Sequence, residues 1–152
     1  MEDPNLGVLL FIPYRYMEDR ILAAVQAAGH PITLAQARLF QRVDPDGSRL
    51  TALAHAAQVT KQTAGYLVDQ LESAGYLERT PDPADARARL VRITAKGSEV
   101  IAVAAPVQAR IEAEWAAHLG AEQTEALRQA LLSLRSVTDP FAAGTAVVPG
   151  PG

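Results

Sequence analysis

Between Leu50 and Gly97 the apolar residues change their spacing twice, and that change limits the folds open to the chain more than any other feature. Thr51 opens a short helix, Ala52 to Ala57, with Leu53, Ala54 and Ala57 facing inward. After Gln58-Val59, Thr60 is placed to cap a longer helix from Lys61 to about Ala74. Its Ala64, Leu67, Val68 and Leu71 recur at the i, i+3, i+4, i+7 spacing of a helix with one buried face. Gly75 stops it, because glycine takes a left-handed conformation without a Cβ penalty. The period then drops to two: Tyr76 to Thr80 and Arg89 to Thr94 alternate as strands do, with Leu77, Val91 and Ile93 as inward residues. A short helix, a brief turn and a longer capped helix make a helix-turn-helix. The intervening Pro81 to Ala88, rich in Pro and Asp, is expected to project as a wing and to be too long for a tight hairpin.

The flanks read as helix. Asn5 can cap a first helix from Leu6 to about Ala28, with apolar residues at Leu10, Tyr14, Met17, Ile21 and Val25. Pro13 inside it predicts a kink or a delayed start, and Gly29 ends it. The stripe is expected to divide between a dimer interface and ordinary core. Thr33 and Gln36 have the spacing of a capping box for a helix from Leu34 to about Arg42, which stops before the turn cluster Val43-Asp44-Pro45-Asp46-Gly47. Ser48 to Leu50 can form a very short strand. Thr94 caps a long helix to about Leu119, with Pro106 expected to bend it. After Gly120 a last helix, Glu122 to about Ser136, carries Leu127, Leu131 and Leu134 on one face. The fold class expected is mainly α with a small β wing. A winged helix-turn-helix lobe (33–97) is flanked by helical segments for dimerisation (1–32 and 98–137), and a Pro-rich tail (138–152) is expected to be disordered.

Composition narrows the function. With 49% hydrophobic and 20% charged residues the chain has the balance of a globular protein, and having no cysteine it excludes disulfides, thiolate zinc sites and cysteine-based redox sensing. The apolar run Leu6 to Ile12 is far shorter than the ~20 residues of a membrane span, so a cytoplasmic protein without a membrane partner is expected. Net charge is −3. Arg49 to Lys96, however, holds seven basic residues against five acidic ones, net +2, which leaves −5 for the remainder. That bias places cations where a nucleic-acid module needs them.

At the level of motifs, Asp82 to Gly97 (DPADARARLVRITAKG) and Leu67 to Gly75 (LVDQLESAG) resemble the wing and the end of the recognition helix of the MarR (multiple antibiotic resistance regulator) family of winged-helix transcription factors. The order of helices along most of the chain is similar too. The resemblance implies a homodimer whose first, fifth and sixth helices intertwine, a palindromic double-stranded DNA operator, and a small aromatic or phenolic effector bound between platform and DNA lobe. A repressor is implied as well; this chain departs from the family pattern at Ala86, where a second wing arginine is usual, and at Gly65-Tyr66.

For DNA, the outward residues of the longer helix are Thr60, Lys61, Gln62, Thr63 and Tyr66. Gln62 can pair with an adenine edge, Lys61 can reach a guanine or a phosphate, and Thr60 and Thr63 can meet a phosphate or a thymine methyl. On the wing, Arg87 is the candidate for minor-groove insertion with Asp85 orienting its guanidinium, while Arg79 and Arg89 are candidates for phosphates on either side. Tyr14, Tyr16, Met17, Arg20 and His30 are the candidate lining of an effector pocket. His30, His55 and His118 stand in separate elements with no serine or carboxylate partner pattern, so no enzyme, metal site or cofactor is expected. A winged helix that binds another protein, without specific DNA binding, is the alternative from another class.

Overall fold

The computed structural model describes residues 2–139. Six helices and one hairpin follow in order: α1 (Leu6–Ala27), α2 (Leu34–Phe40), α3 (Leu50–Ala57), α4 (Lys61–Ser73), β1 (Leu77–Asp82), β2 (Asp85–Ile93), α5 (Ala95–Leu119) and α6 (Ala121–Thr138). The expected tail falls almost wholly on residues 140–152, outside those described.

Most helix starts are set by the side chains the sequence offers as caps. Asn5 accepts the amide of Val8, Thr33 and Gln36 form the reciprocal capping box, Thr60 accepts from the amide of Thr63, and Thr94 from that of Gly97. The exceptions are α6, which starts behind Gly120 with no side-chain bond, and α3. It begins at Leu50 with Arg49 at the cap and no side-chain bond there, so Thr51 lies inside the first turn instead of ahead of it. The helix α2 ends at Phe40, two residues early, and α1 runs unbroken through Pro13. A delayed start is therefore not what happens there, since Asn5 fixes the beginning of the helix before the proline is reached.

The wing differs most from expectation. Instead of an unpaired loop, Pro81 to Ala88 belongs largely to the strands, which meet in a two-residue turn at Pro83-Ala84. Asp82 makes this possible: its Oδ1 accepts from the amide of Ala84 at 2.8 Å, a local bond that closes the chain around Pro83. Pro81 fits because a two-stranded ribbon has an outer edge where no donor is needed. Pairing is regular from Leu77↔Ile93 to Pro81↔Arg89, then jumps to Asp82↔Asp85, which leaves Ala86, Arg87 and Ala88 as an excursion without partners in the register. Ser48 exchanges both backbone bonds with Val91, at 2.9 and 2.7 Å, and so adds a single-residue third strand.

A core of Ile32, Leu39, Leu53, Val68, Leu71, Leu77 and Val91, each 2% exposed or less, joins α2, α3, α4 and the hairpin. The α1 stripe grades from outside to inside: Leu10 and Tyr14 are exposed, Met17 and Ile21 half-buried, and Val25 buried. The helix packs along α5, where Ile111 is fully covered. No residue of α6 is buried.

The start of α5, the end of the hairpin and α2 meet at Gly97. A Cβ there would overlap the carbonyl oxygen of Tyr76 and stand 2.7 Å from Ile93 Cγ2 and 3.3 Å from Phe40 Cε2, so any side chain forces backbone apart. Replacing Gly97 with Ala should lower the free energy of unfolding by about 1–3 kcal/mol, read by urea denaturation. A loss under about 0.5 kcal/mol, the scale of an ordinary surface substitution, would contradict this account of the junction.

Candidate nucleic-acid interface

Burial of Ala64, Leu67, Val68 and Leu71 fixes the rotation of α4 and leaves Lys61, Gln62, Thr63 and Tyr66 on the exposed side, with Thr60 exposed at the cap. Tyr66 is 63% exposed. Lys61 makes no ion pair among the described residues. The two threonines are partly committed: the Thr60 hydroxyl accepts the amide of Thr63 at 3.1 Å and donates to the Thr63 hydroxyl at 2.9 Å. Thr60 is thus a cap first, while Thr63 keeps its own hydroxyl proton for an outside acceptor. Gly65 has room for a side chain, with only Leu50 Cδ2 near its Cβ position at 3.7 Å. No neighbouring backbone requires a glycine there.

The wing arginines take unequal parts. Arg87 projects with its side chain 95% exposed. Asp85 accepts the backbone amide of Arg87 at 3.0 Å, while its nearest approach to the guanidinium is 3.7 Å. The carboxylate therefore shapes the main chain under Arg87 more than it grips the side chain. Arg89 is exposed, and among the described residues its side chain makes one long bond, to the carbonyl of Arg79 at 3.4 Å. Arg79 does not fit the expected phosphate contact. Its guanidinium is spent within the protein, on Asp69 at 2.8 Å and Glu72 at 2.9 Å, and Glu72 also accepts the Arg79 amide at 3.0 Å. Arg79 thus ties the exposed side of α4 to β1.

A second tie was not legible in the sequence. Arg49, at the start of α3, donates twice to Asp82 Oδ2, at 2.9 and 2.7 Å, near the wing turn. The Ala84 amide and then Arg49 hold the Asp82 carboxyl below its usual range. Separated by 33 positions, the pair leaves no local pattern; a lone Arg before a helix and an Asp before a Pro were the available signals.

The residues expected to line an effector pocket divide between three places. Tyr14 and Met17 line a cleft of about 540 Å³ between α1 and α5 on one side and α2 and the end of β2 on the other, with Ile21, Phe40, Ile93 and Val100 among its walls. Tyr16 and Arg20 do not line it. They face α5, where Arg20 forks onto Glu114 at 2.6 and 3.2 Å and Tyr16 lies 6.4 Å from Trp115, ring to ring. His30 is drawn elsewhere as well, its Nδ1 3.0 Å from the Tyr76 hydroxyl. Helical spacing put Tyr14 and Tyr16 on one element but could not say that they point to different neighbours.

At the cleft mouth Glu18 is a hub between α1 and α2. Arg38 donates to it through Nε and Nη2 at 2.8 and 2.9 Å, and Arg15 and Tyr14 donate as well. Arg38 first, then Arg15 and Tyr14, hold the carboxyl down to about 2 against the opposing effect of burial. Among the described residues no cluster of His, Asp and Glu suits a metal, and no helix is long and apolar enough to cross a membrane.

Against this geometry stand the likenesses to known proteins. The sequence pattern of the MarR family matches residues 30–88. Transcriptional regulator HosA of Escherichia coli O127:H6 is 36% identical over 86 residues, 57% of this chain. The match spans 64% of the length of that curated relative. The solved transcriptional regulator Tm0710 from Thermotoga maritima is 31% identical, with a TM-score of 0.58 over 87% of this chain and 92% of that one. A mutant of S. aureus MepR bound to oligodeoxyribonucleotide has the same fold, at 19% identity and a TM-score of 0.57 over 90% and 99% of the two chains.

The Glu18 hub predicts an acid limb in stability. Its folded pKa lies below the unfolded one, so its contribution is present above about pH 4.5 and is lost as pH falls toward about 2. Urea unfolding of the wild type and Glu18→Gln across that range should show the wild-type advantage shrinking as acid is added. A gap that stays constant with pH would count against the hub.

Proposed function

The chain belongs to the MarR family, and on that premise we propose that it is a transcriptional regulator that binds a palindromic DNA operator as a homodimer. The observation that carries the reading is the pairing of an exposed first turn of α4 with a 95% exposed Arg87 on a braced wing. In this reading α4 enters the major groove, with Gln62 and Lys61 reaching base edges or phosphates and Tyr66 and Thr63 beside them. Arg87 enters the adjacent minor groove and Arg89 meets phosphate. Asp85 and Asp82 shape the wing without touching DNA. The oligonucleotide in the MepR structure is in keeping with this use of the fold.

The second copy is argued from surface. Leu6, Leu9, Phe11 and Ile12 at the start of α1 are 48–70% exposed, and Leu131, Leu132, Leu134 and Val137 on α6 are 41–80% exposed. Two apolar stretches of that size on one chain call for a partner, and a second copy supplies both. Such a dimer reads an inverted repeat with half-site centres roughly 10 bp apart or slightly more. The role is read as repression relieved by a small aromatic or phenolic effector in the cleft lined by Tyr14 and Met17. Spanning platform and lobe, that cleft changes shape when the lobes move, so a ligand that fits one spacing better shifts the population toward it.

Arg87→Ala should weaken operator binding by about tenfold or more at fixed salt and reduce the slope of log affinity against log salt by about one phosphate contact, while thermal unfolding stays unchanged. Fluorescence anisotropy on a labelled duplex measures both. Unaltered affinity would remove Arg87 from the interface.

A further inference from the structure

Nothing in the protein's own packing calls for a glycine at position 65. Gly65 lies in the middle of a regular helix and its φ is not left-handed. A Cβ built there meets only Leu50 Cδ2, at 3.7 Å, an ordinary contact. Alanine would fit, and inside a helix glycine is the poorest choice after proline. A local rule broken without a gain inside the fold points to a function outside it.

The neighbours of Gly65 say what that function is. Gln62, Gly65, Tyr66 and Asp69 stand at i, i+3, i+4 and i+7, the four corners of a hole on a helix surface. Because Ala64, Leu67, Val68 and Leu71 are buried, this hole faces outward. Tyr66 is 63% exposed, and among the described residues nothing bonds its hydroxyl or stacks on its ring. At the far corner Arg79 meets Asp69 at 2.8 Å and offsets its charge. With glycine at one corner, the hole reaches down to the main chain beside an aromatic ring. It is a small seat with an apolar wall.

On the operator reading above, on which the assignment rests, this hole faces the major groove. The apolar group that base pairs offer there is the thymine 5-methyl; the other groups are hydrogen-bond donors and acceptors. We infer that the hole seats a thymine methyl, so that Gly65 and Tyr66 determine sequence specificity, Gly65 by admitting the methyl to the main chain and Tyr66 by walling it. Any side chain at position 65 occupies the seat, so this helix gives up stability for readout.

The test starts from a duplex that the wild-type protein selects from a random pool. Each thymine in turn, with its symmetry mate, is replaced by deoxyuridine, which keeps the pairing and lacks the methyl. Affinity is read by fluorescence anisotropy at fixed salt. At one such pair the wild type should lose about tenfold, roughly fourfold for each methyl. Gly65→Ala should bind the thymine duplex about tenfold more weakly, lose that discrimination, and unfold about 2–4 °C higher. Tyr66→Phe, which keeps the ring, should keep the discrimination, and Tyr66→Ala should lose it. Deoxyuridine tolerated at every position, or discrimination unchanged in Gly65→Ala, overturns the inference and leaves the operator reading standing. A Gly65→Ala protein less stable than the wild type also overturns it, because the glycine then serves the fold. A pool in which no duplex is enriched overturns the operator reading and the inference together.

Discussion

Gly97 stands where the start of α5 closes on the hairpin, on α2 and on the α4–β1 connection, and the way α5 leaves the hairpin depends on that contact. The end of the hairpin, the start of α5, Phe40 of α2 and the carbonyl of Tyr76 all close on a residue with no side chain. Around it the chain ties itself down repeatedly. Thr94 donates its hydroxyl to the carbonyl of Gly75 at 2.6 Å and its amide to that of Tyr76 at 3.2 Å, and Lys96 donates to the carbonyl of Ala74 at 2.6 Å. The end of α4, where φ at Gly75 is +87°, is thereby fixed to the first turn of α5. Lys96 also lies over the Tyr76 ring, and Tyr76 meets His30 from the α1–α2 connection. A change of angle between α5 and the hairpin has to pass through this knot.

Beyond the knot, charge is used twice. Arg49 and Arg79 brace the wing against α3 and α4 through Asp82, Asp69 and Glu72, which leaves Lys61, Arg87 and Arg89 facing solvent. Such exposed pairs each contribute little to stability. Their effect is positional, since a wing held from both sides loses less freedom when it meets a rigid partner. The modest positive bias of the segment thus understates how its cations are arranged: Arg49 and Arg79 are tied to carboxylates, while Lys61 and Arg89 face solvent and Arg87 comes only to 3.7 Å of Asp85.

Much of this was legible in the sequence where the determinants are local. Caps at Asn5, Thr33, Thr60 and Thr94 act over three or four residues, and the inner face of α4 follows from one helical period. Long-range choices were not legible. Pro81 and Pro83 read as loop, yet Asp82 closes a tight turn that lets the strands run through. Arg79 read as a phosphate contact, but its guanidinium meets Asp69 and Glu72 on another element. Arg49 carried no pattern at all, and its bond to Asp82 exists only once the hairpin has folded back beside α3. Of the residues expected at a pocket, Tyr14 and Met17 lie on the cleft because they share the stripe that faces α2. Tyr16, Arg20 and His30 were claimed by Trp115, Glu114 and Tyr76.

The central claim is that α4 and the wing together read DNA as one half of a symmetric pair. Selection of bound duplexes from a random pool tests it most directly. The account predicts enrichment of an inverted repeat whose half-site centres lie roughly 10 bp apart or slightly more. Recovery of a pool no different from the input, at low salt and with folded protein, would contradict it.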